Sequence, residues 1–213
     1  MKKKIGVLGS GQVAQVLATG FLNLGHEVTV GTSSASKLAD WKNNNPKAKL
    51  GSFEEAAKFG ETIVLAVKGV VAEALVKSLA HALTGKTIID TTNPIAEKPP
   101  MNGVLQYFTS LSESLMERLQ AITPPANFVK AFNSVGNKLM VNPSFAGVKP
   151  TMFICGNNDE ARKEVASIVN AFGWEVADFG KAEAARAIEP LCMLWCIPSM
   201  ISGQRHHAFK LLK

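Results

Sequence analysis

Apolar runs of strand length alternate with segments of helical period along the whole chain. The first run, Ile5–Leu8, is followed by apolar residues at helical spacing, among them Leu17, Phe21 and Leu24. Six further strand-like runs follow at Glu27–Val30, Glu61–Val67, Lys86–Thr92, Phe128–Phe132, Thr151–Cys155 and Trp174–Phe179. Strands that alternate with helices predict an α/β fold with a doubly wound parallel sheet and right-handed crossovers.

A glycine turn separates the first strand from its helix. Gly9, Gly11 and Ala14 form a G-x-G-x-x-A pattern in the strand–turn–helix context of dinucleotide-binding proteins. Gly9 allows the tight turn, and Gly11 leaves room for a pyrophosphate. The free backbone N–H groups of Gln12 and Val13 attract an anion at the start of the helix. We therefore expect a Rossmann dinucleotide-binding domain.

The end of the second predicted strand indicates which dinucleotide binds. NAD-specific folds place a carboxylate here to hold the ribose 2′-hydroxyl. This chain has Thr32 and Ser33 instead, with Lys37 one helical turn later. Hydroxyl donors and positive charge suit a 2′-phosphate, which a carboxylate would repel. We therefore predict NADP(H); the alternative is that the segment from Ser33 to Ser36 only caps the next helix.

The predicted topology places the remaining cofactor contacts. In a doubly wound sheet the ligand lies across the carboxyl ends of the strands. The predicted cofactor-binding residues are Gly9, Ser10, Gly11, Gln12, Val13, Thr32, Ser33, Lys37, Ala66, Val67, Lys68, Asn93, Pro94 and Asn133. Asn133 follows the fifth strand and is expected to reach the nicotinamide. Turn capping by a short amide is a compatible alternative for Asn93 and Asn133.

The C-terminal part of the chain is expected to complete the sheet. We assign residues 1–135 to an NADP-binding domain and residues 136–213 to a segment with packing or dimerisation helices. The segment from Ala182 to about Met200 is predicted as an apolar helix, bent or broken at Pro190 and Pro198. It is too apolar for a lone exposed helix. We therefore expect it to pack on the sheet or on a second copy in a homodimer.

Composition and charge narrow the possible partners. The 23 Lys and Arg residues exceed the 17 Asp and Glu residues, for a net charge of +6 that suits an anionic cofactor. The basic residues form no stripe with interleaved aromatics, so no nucleic-acid partner is expected. No membrane partner is expected either. The three cysteines lack a C-x-x-C spacing and predict free thiols in the cytoplasm, with no metal site.

Few side chains in the sequence are candidates for a catalytic acid or base. Tyr107, the only tyrosine, lies in a long loop over residues 95–109. His26 and His81 are expected away from the carboxyl edge of the sheet. His206 and His207 lie in the C-terminal tail, where we expect solvated side chains. We therefore predict no catalytic acid or base. Hydride transfer to a flavin-like ring fits this pattern because the cofactors carry the chemistry.

Longer segments carry a more specific signal. They are Ile5–Gly11, Leu24–Ser33, Asp90–Pro94, Val129–Val135, Ile154–Asp159 and Ala185–Leu191. Together they resemble the NADP oxidoreductase, coenzyme F-420-dependent family over nearly the whole chain. The resemblance implies three groups of contacts: the pyrophosphate with Ser10, Gln12 and Val13, the 2′-phosphate with Thr32, Ser33 and Lys37, and the nicotinamide with Val67, Pro94 and Asn133.

These observations predict an NADP(H)-dependent oxidoreductase that transfers hydride between NADPH and a flavin or deazaflavin-like acceptor. FMN, FAD or a deazaflavin would then be the second, small-molecule substrate. Two alternatives stay open at this point. One is a reductase of imines or 2-hydroxyacids, which would need a proton donor near Asn133 or from a partner subunit. The other is a non-catalytic NADP-binding module that senses redox state.

Overall fold

The computed structural model describes residues 2–212 and contains one eight-stranded sheet. The strands are β1 (Lys4–Leu8), β2 (Glu27–Gly31), β3 (Lys49–Gly51), β4 (Thr62–Leu65), β5 (Thr87–Asp90), β6 (Asn127–Lys130), β7 (Thr151–Gly156) and β8 (Glu175–Asp178). The helices are α1 (Gln12–Asn23), α2 (Ala39–Asn44), α3 (Phe53–Phe59), α4 (Gly69–Leu83), α5 (Leu115–Ile122), α6 (Asp159–Ala171) and α7 (Ala185–Ser202). Short 3₁₀ segments occupy Ala35–Leu38, Asn137–Leu139 and Ala182–Ala184.

The strand order is β3-β2-β1-β4-β5-β6-β7-β8, so the order of the strands reverses between β1 and β4, as is typical of a doubly wound fold. The predicted α/β Rossmann architecture is confirmed. Strands β1 to β6 pair in parallel, whereas β7 runs antiparallel to β6, so the sheet is mostly rather than wholly parallel. The connection between β6 and β7, residues 131–150, contains a 3₁₀ turn but no α-helix of the kind that usually carries a parallel crossover.

The core lies on both faces of the sheet. Neighbouring residues of one strand point to opposite faces. In β4, Val64 packs in the cluster that includes residues of α1 and α6, whereas Ile63 and Leu65 pack in the cluster that includes residues of α3, α4 and α5. The sheet runs through both of the assigned parts of the chain, 1–135 and 136–213, and that division stays a prediction.

Helix α7 was predicted to be bent or broken at its prolines; it is continuous, so the break is wrong. Pro190 and Pro198 both lie inside it. Packing overrides the loss of two helical hydrogen bonds, because one face of the helix buries Ile188, Cys192 and Trp195. By length and composition alone the segment Ala182–Ser202 could cross a membrane, with 28% of its apolar window buried. The expected lack of a membrane partner therefore stays a prediction.

The C-terminal tail folds back on α7. The indole Nε1 of Trp195 donates to the backbone oxygen of His207 at 2.8 Å, and His207 Nε2 lies 2.9 Å from the backbone oxygen of Trp195. The two rings stack with centroids 4.8 Å apart. His207 is therefore half-buried and held, not solvated as predicted. The tail also reaches β7, where Thr151 N donates to Phe209 O.

Candidate dinucleotide site

The glycine turn has the geometry that a pyrophosphate needs. Gly9 has φ 141°, and a Cβ there would lie 2.2 Å from the backbone oxygen of Ala66. Gly11 is the N-cap of α1, and a Cβ there would meet no atom of residues 2–212 within 4 Å. The first N–H groups of α1, at Gln12 and Val13, have no acceptor within the helix. The space beside Gly11 and these donors fit a diphosphate.

A cleft of about 870 Å³ opens at the carboxyl ends of β1, β4 and β5. The predicted residues that line it are Gly9, Ser10, Gly11, Gln12, Val13, Lys37, Ala66, Val67, Lys68 and Asn93. Thr32, Ser33, Pro94 and Asn133 are not among its lining residues. Sequence reasoning missed other residues of the lining, which are Phe53, Gly69, Val70, Val71, Thr91, Thr92, Ile95, Ala96, Glu97 and Asn137. The strand order brings these segments to one edge.

The predicted 2′-phosphate corner is a turn closed by hydroxyl groups. The Thr32 hydroxyl donates to the backbone oxygen of Ser34 and accepts from its N–H, both at 3.1 Å. Thr32 is buried and its hydroxyl is used in this turn, whereas Ser33 and Lys37 are exposed. A phosphate at this corner would therefore meet Ser33 and Lys37 rather than Thr32. The cofactor-binding roles of all three residues stay predictions.

The other end of the cleft is bordered by a pair of amides. Asn93 Nδ2 donates to the backbone oxygen of Asn133 at 2.8 Å, and Asn133 Nδ2 donates to Asn93 Oδ1 at 3.1 Å. Asn133 Nδ2 also donates to the backbone oxygen of Ile188 in α7 at 3.0 Å. Asn133 is buried, and its Oδ1 has no hydrogen-bond partner within residues 2–212. Asn93 therefore faces the cleft, and Asn133 lies behind it as a support.

A buried ionic cluster lies beneath this end of the cleft. The Lys130 ammonium lies 2.8 Å from Asp90 Oδ2 and 2.9 Å from Glu189 Oε1, and it donates to the backbone oxygen of Thr92 at 2.8 Å. Burial disfavours the charge on Lys130, but the carboxylates of Asp90 and Glu189 outweigh it and raise the pKa of this ammonium. Lys130 is therefore a permanent cation inside the sheet.

Glu189 connects this cluster to α5. Its carboxylate accepts from the backbone N–H groups of Leu115 and Met116, each at 3.0 Å. These groups begin α5, where a negative charge is favourable. No sequence pattern singles out Lys130, Asp90 and Glu189 as a cluster. The only sequence signal for the cluster is that Asp90 and Lys130 are charged residues within apolar strands. No residue near Glu189 in the sequence identifies it as their partner.

Comparisons with known proteins agree with this geometry. Residues 4–94 match the sequence model of the family described as NADP oxidoreductase coenzyme F420-dependent. The fold matches the crystal structure of a provisionally assigned F420-dependent NADP-reductase from Arthrobacter sp. FB24 with a TM-score of 0.92 and 31% identity, over 99% of this chain and 100% of that one. The chain belongs to this family.

Further relatives of this chain differ from it in length. Metalloreductase STEAP3 of Rattus norvegicus is 31% identical over 212 residues, which cover 93% of this chain but 39% of that protein. The F420-dependent NADP reductase of Methanocaldococcus jannaschii is 27% identical over 149 residues, 66% of this chain and 63% of that one. The chain thus spans about two fifths of the length of the metalloreductase. Likeness to an imine reductase of Streptomyces aurantiacus, at 17% identity and a TM-score of 0.67, shows the fold alone.

The hydroxyl of Tyr107, the candidate proton donor in the loop, is bound to α7. It donates to the backbone oxygen of Glu189 at 2.8 Å, which holds the 95–109 loop on α7. Burial, with the Cys192 thiol beside it, raises the pKa of Tyr107 above its ordinary value. A tyrosine that stays protonated and committed to a helix carbonyl is a structural anchor. His26 and His81 lie at the amino end of β2 and near the end of α4, as expected.

Proposed function

We propose that this protein is a reductase that transfers hydride from NADPH to a flavin or deazaflavin-like acceptor. The single observation that carries the proposal is the cleft built on the glycine turn, where the space beside Gly11 and the start of α1 suit a pyrophosphate. Family membership supports NADP(H) as the cofactor. Two relatives, an F420-dependent NADP reductase and a metalloreductase, support a redox acceptor.

Different residues along the cleft would bind the different parts of NADPH. The N–H groups of Gln12 and Val13 would hold the pyrophosphate, and Lys37 would add positive charge at the 2′-phosphate. Val67 and Asn93 would border the nicotinamide, with Asn133 behind. NADPH supplies a hydride equivalent when bound. The acceptor gains that hydride together with a proton from solvent, because the Tyr107 hydroxyl is already committed to Glu189.

An acceptor screen tests this proposal. NADPH oxidation is followed with FMN, FAD, a deazaflavin and a cyclic imine offered separately, with the Gly11→Ala variant as the matched control for cofactor binding. We expect turnover with a flavin or deazaflavin in the wild type and its loss in the variant. Turnover with the imine alone would favour an imine reductase. Tight NADPH binding with no turnover on any acceptor would favour a redox sensor.

We propose that the protein is a homodimer that associates through α7. The supporting observation is that no charged residue occurs between Pro190 and Gln204, while Leu194, Met200 and Ile201 are exposed on this helix. An apolar face of this kind is typical of protein–protein contacts. Light scattering after gel filtration should give twice the chain mass of 22.8 kDa. Ile201→Glu should return the monomer, and a wild-type monomer would contradict the proposal.

We propose a cytoplasmic location. All three cysteines, Cys155, Cys192 and Cys196, are unpaired within residues 2–212, and Cys155 and Cys192 are buried. Burial raises the pKa of the Cys155 thiol to about 12, which keeps it unreactive. Thiols of this kind suit a reducing compartment. Fractionation of cells that express the tagged full chain checks this, and recovery in the membrane or secreted fraction would contradict it.

A further inference from the structure

The turn Thr91–Asn93 forms one wall of the cleft, and its polar groups are bonded to the protein rather than directed at a ligand. The Thr92 N–H and hydroxyl both donate to Asp90 Oδ1, at 2.9 and 2.7 Å. The backbone oxygen of Thr92 accepts from Lys130 Nζ at 2.8 Å. The Thr91 hydroxyl donates to the backbone oxygen of Leu65 at 2.9 Å. Hydrogen bonds to the rest of the protein therefore fix the position of this wall.

Burial of the Lys130 ammonium between two carboxylates is energetically unfavourable compared with apolar packing. The side chain of Lys130 is fully buried in β6, and bringing an ammonium and two carboxylates out of water carries a large desolvation penalty. Apolar residues of similar volume are often as stable as a buried ion cluster, or more so. Packing alone does not explain the cation. The cation lies directly under the turn Thr91–Asn93 that borders the cleft, and this position points to a role in holding that turn.

The same cluster holds the second wall. Glu189, bound to Lys130, receives the Tyr107 hydroxyl on its backbone oxygen, which fixes the 95–109 loop. The preceding residue, Ile188, receives Asn133 Nδ2 on its backbone oxygen, and Asn133 in turn holds Asn93. One short stretch of α7 therefore sets the position of both the turn and the loop.

We infer that Lys130 is a positioning residue for the hydride transfer proposed above. By holding the backbone oxygen of Thr92, and α7 through Glu189, it fixes the wall at the end of the cleft assigned to the nicotinamide. The inference rests on the proposed function. It concerns the alignment of the ring, whereas the pyrophosphate turn at Gly9–Val13 lies at the ends of other elements. Loss of Lys130 should therefore slow the chemistry more than it weakens binding of NADPH.

The experiment compares Lys130→Met and Lys130→Gln in the full chain with Thr87→Val. Thr87 is the matched control because it lies at the opposite end of β5, where its hydroxyl donates to Glu164 Oε2 at 2.7 Å. Four quantities are measured: the melting temperature, the Kd for NADPH from nicotinamide fluorescence, kcat with the acceptor found in the screen, and the primary isotope effect with NADPH deuterated at C4.

For Lys130→Met we expect kcat to fall about 10- to 100-fold, because small misplacements of the reacting atoms slow a reaction by factors of this size. The Kd for NADPH should change by less than about threefold, and the isotope effect on kcat should rise as hydride transfer becomes rate-limiting. Lys130→Gln should recover part of kcat because its amide can donate to Thr92 O. Thr87→Val should lower the melting temperature without changing kcat or the isotope effect.

A Lys130→Met protein with wild-type kcat and isotope effect would overturn the inference, whatever its melting temperature. If that variant does not fold, the triple variant Lys130→Met, Asp90→Asn, Glu189→Gln removes the cation without leaving unpaired charges; an unchanged kcat in it would then overturn the inference. If the wild type binds NADPH but reduces no acceptor, the proposed function fails separately. The emission of the bound nicotinamide then decides: a difference between wild type and variant supports positioning, and equal spectra overturn it.

Discussion

The ammonium of Lys130 lies 2.9 Å from the carboxylate of Glu189, with both side chains buried. This contact joins β6 to α7, and Asp90 extends it to β5. Because Glu189 also receives two N–H groups of α5, one cluster fixes four elements at the carboxyl edge of the sheet. That edge is where the glycine turn and the cleft lie.

Removing the cation should destabilise the protein strongly. Lys130→Met leaves Asp90 and Glu189 buried without their counter-ion. We expect the free energy of unfolding to fall by about 3–5 kcal/mol, the usual cost of breaking a buried pair. Urea unfolding of both proteins measures it. The triple variant Lys130→Met, Asp90→Asn, Glu189→Gln should recover part of the loss because it removes the unpaired charges. Equal stabilities of single and triple variants would contradict this reading.

The two glycines of the turn should respond differently to alanine. At Gly11 a Cβ has room and φ is −75°, so Gly11→Ala should keep the melting temperature of the wild type. It should weaken NADPH binding by about tenfold or more, because the methyl group occupies the pyrophosphate space and displaces a charged hydrogen bond of about 1.5–3 kcal/mol. Calorimetric titration measures the affinity. Unchanged affinity in a folded Gly11→Ala protein would place the pyrophosphate elsewhere.

Gly9→Ala provides the contrast. Its φ of 141° and the approach of 2.2 Å to Ala66 O leave no place for a Cβ. We expect a loss of about 1–3 kcal/mol in unfolding free energy, as for overpacked cores, together with loss of binding. A fully stable Gly9→Ala protein would show that the turn is looser than described.

Lys37 should decide between the two pyridine nucleotides. Lys37→Ala should weaken NADPH binding by about 1.5–3 kcal/mol, the range for a charged hydrogen bond, and leave NADH binding unchanged. Lys42→Ala is the matched control because Lys42 is bonded to the backbone oxygen of Pro46 at 2.9 Å and does not line the cleft. Equal NADPH affinities of wild type and Lys37→Ala would leave Lys37 as a surface residue.

The opposite edge of the sheet should contribute an acid-sensitive stability. Burial of Glu164 favours its neutral form, but hydrogen bonds from Lys3, Thr62 and Thr87 outweigh this and lower the pKa of the carboxyl below 4.5. A depressed pKa gives stability that is present above the unfolded-state value and is lost as pH falls through the folded-state value. The stability difference between wild type and Glu164→Gln should therefore shrink from about pH 6 to about pH 3.

Glu160→Gln on the same helix is the control for this measurement. Glu160 pairs with Lys163 at 2.7 Å, but both side chains are largely exposed. Exposed pairs contribute little, so its stability difference should stay near zero over the same range. A Glu164→Gln difference that does not depend on pH would contradict the assignment.

A structural feature could be predicted from the sequence where one short segment forms all of it. The turn from Gly9 to Gly11 needs only its own glycines, and the order of strands and helices predicted the sheet except for the short β3 and the antiparallel direction of β7. The capping box of Ser52 and Glu55 is equally local and is present. At the corner after β2, the hydroxyls were visible in sequence. Which of them is free depends on the turn, since Thr32 bonds to Ser34.

Features made by residues far apart in the chain could not be predicted in this way. The partners of Lys130 come from β5 and α7, and no spacing rule connects them. The proline rule failed in α7 for a related reason, because burial of Trp195 and its pairing with the His207 backbone stabilise a helix that local propensity disfavours. In both cases tertiary contacts decide the outcome.

Calorimetric titration of the wild-type chain with NADPH and with NADH tests the central claim most directly. We expect one NADPH bound per chain, more tightly than NADH, with the affinity about tenfold or more weaker in the folded Gly11→Ala variant. Tighter binding of NADH would contradict the choice of NADP(H), and binding of neither nucleotide would contradict the assignment of the cleft.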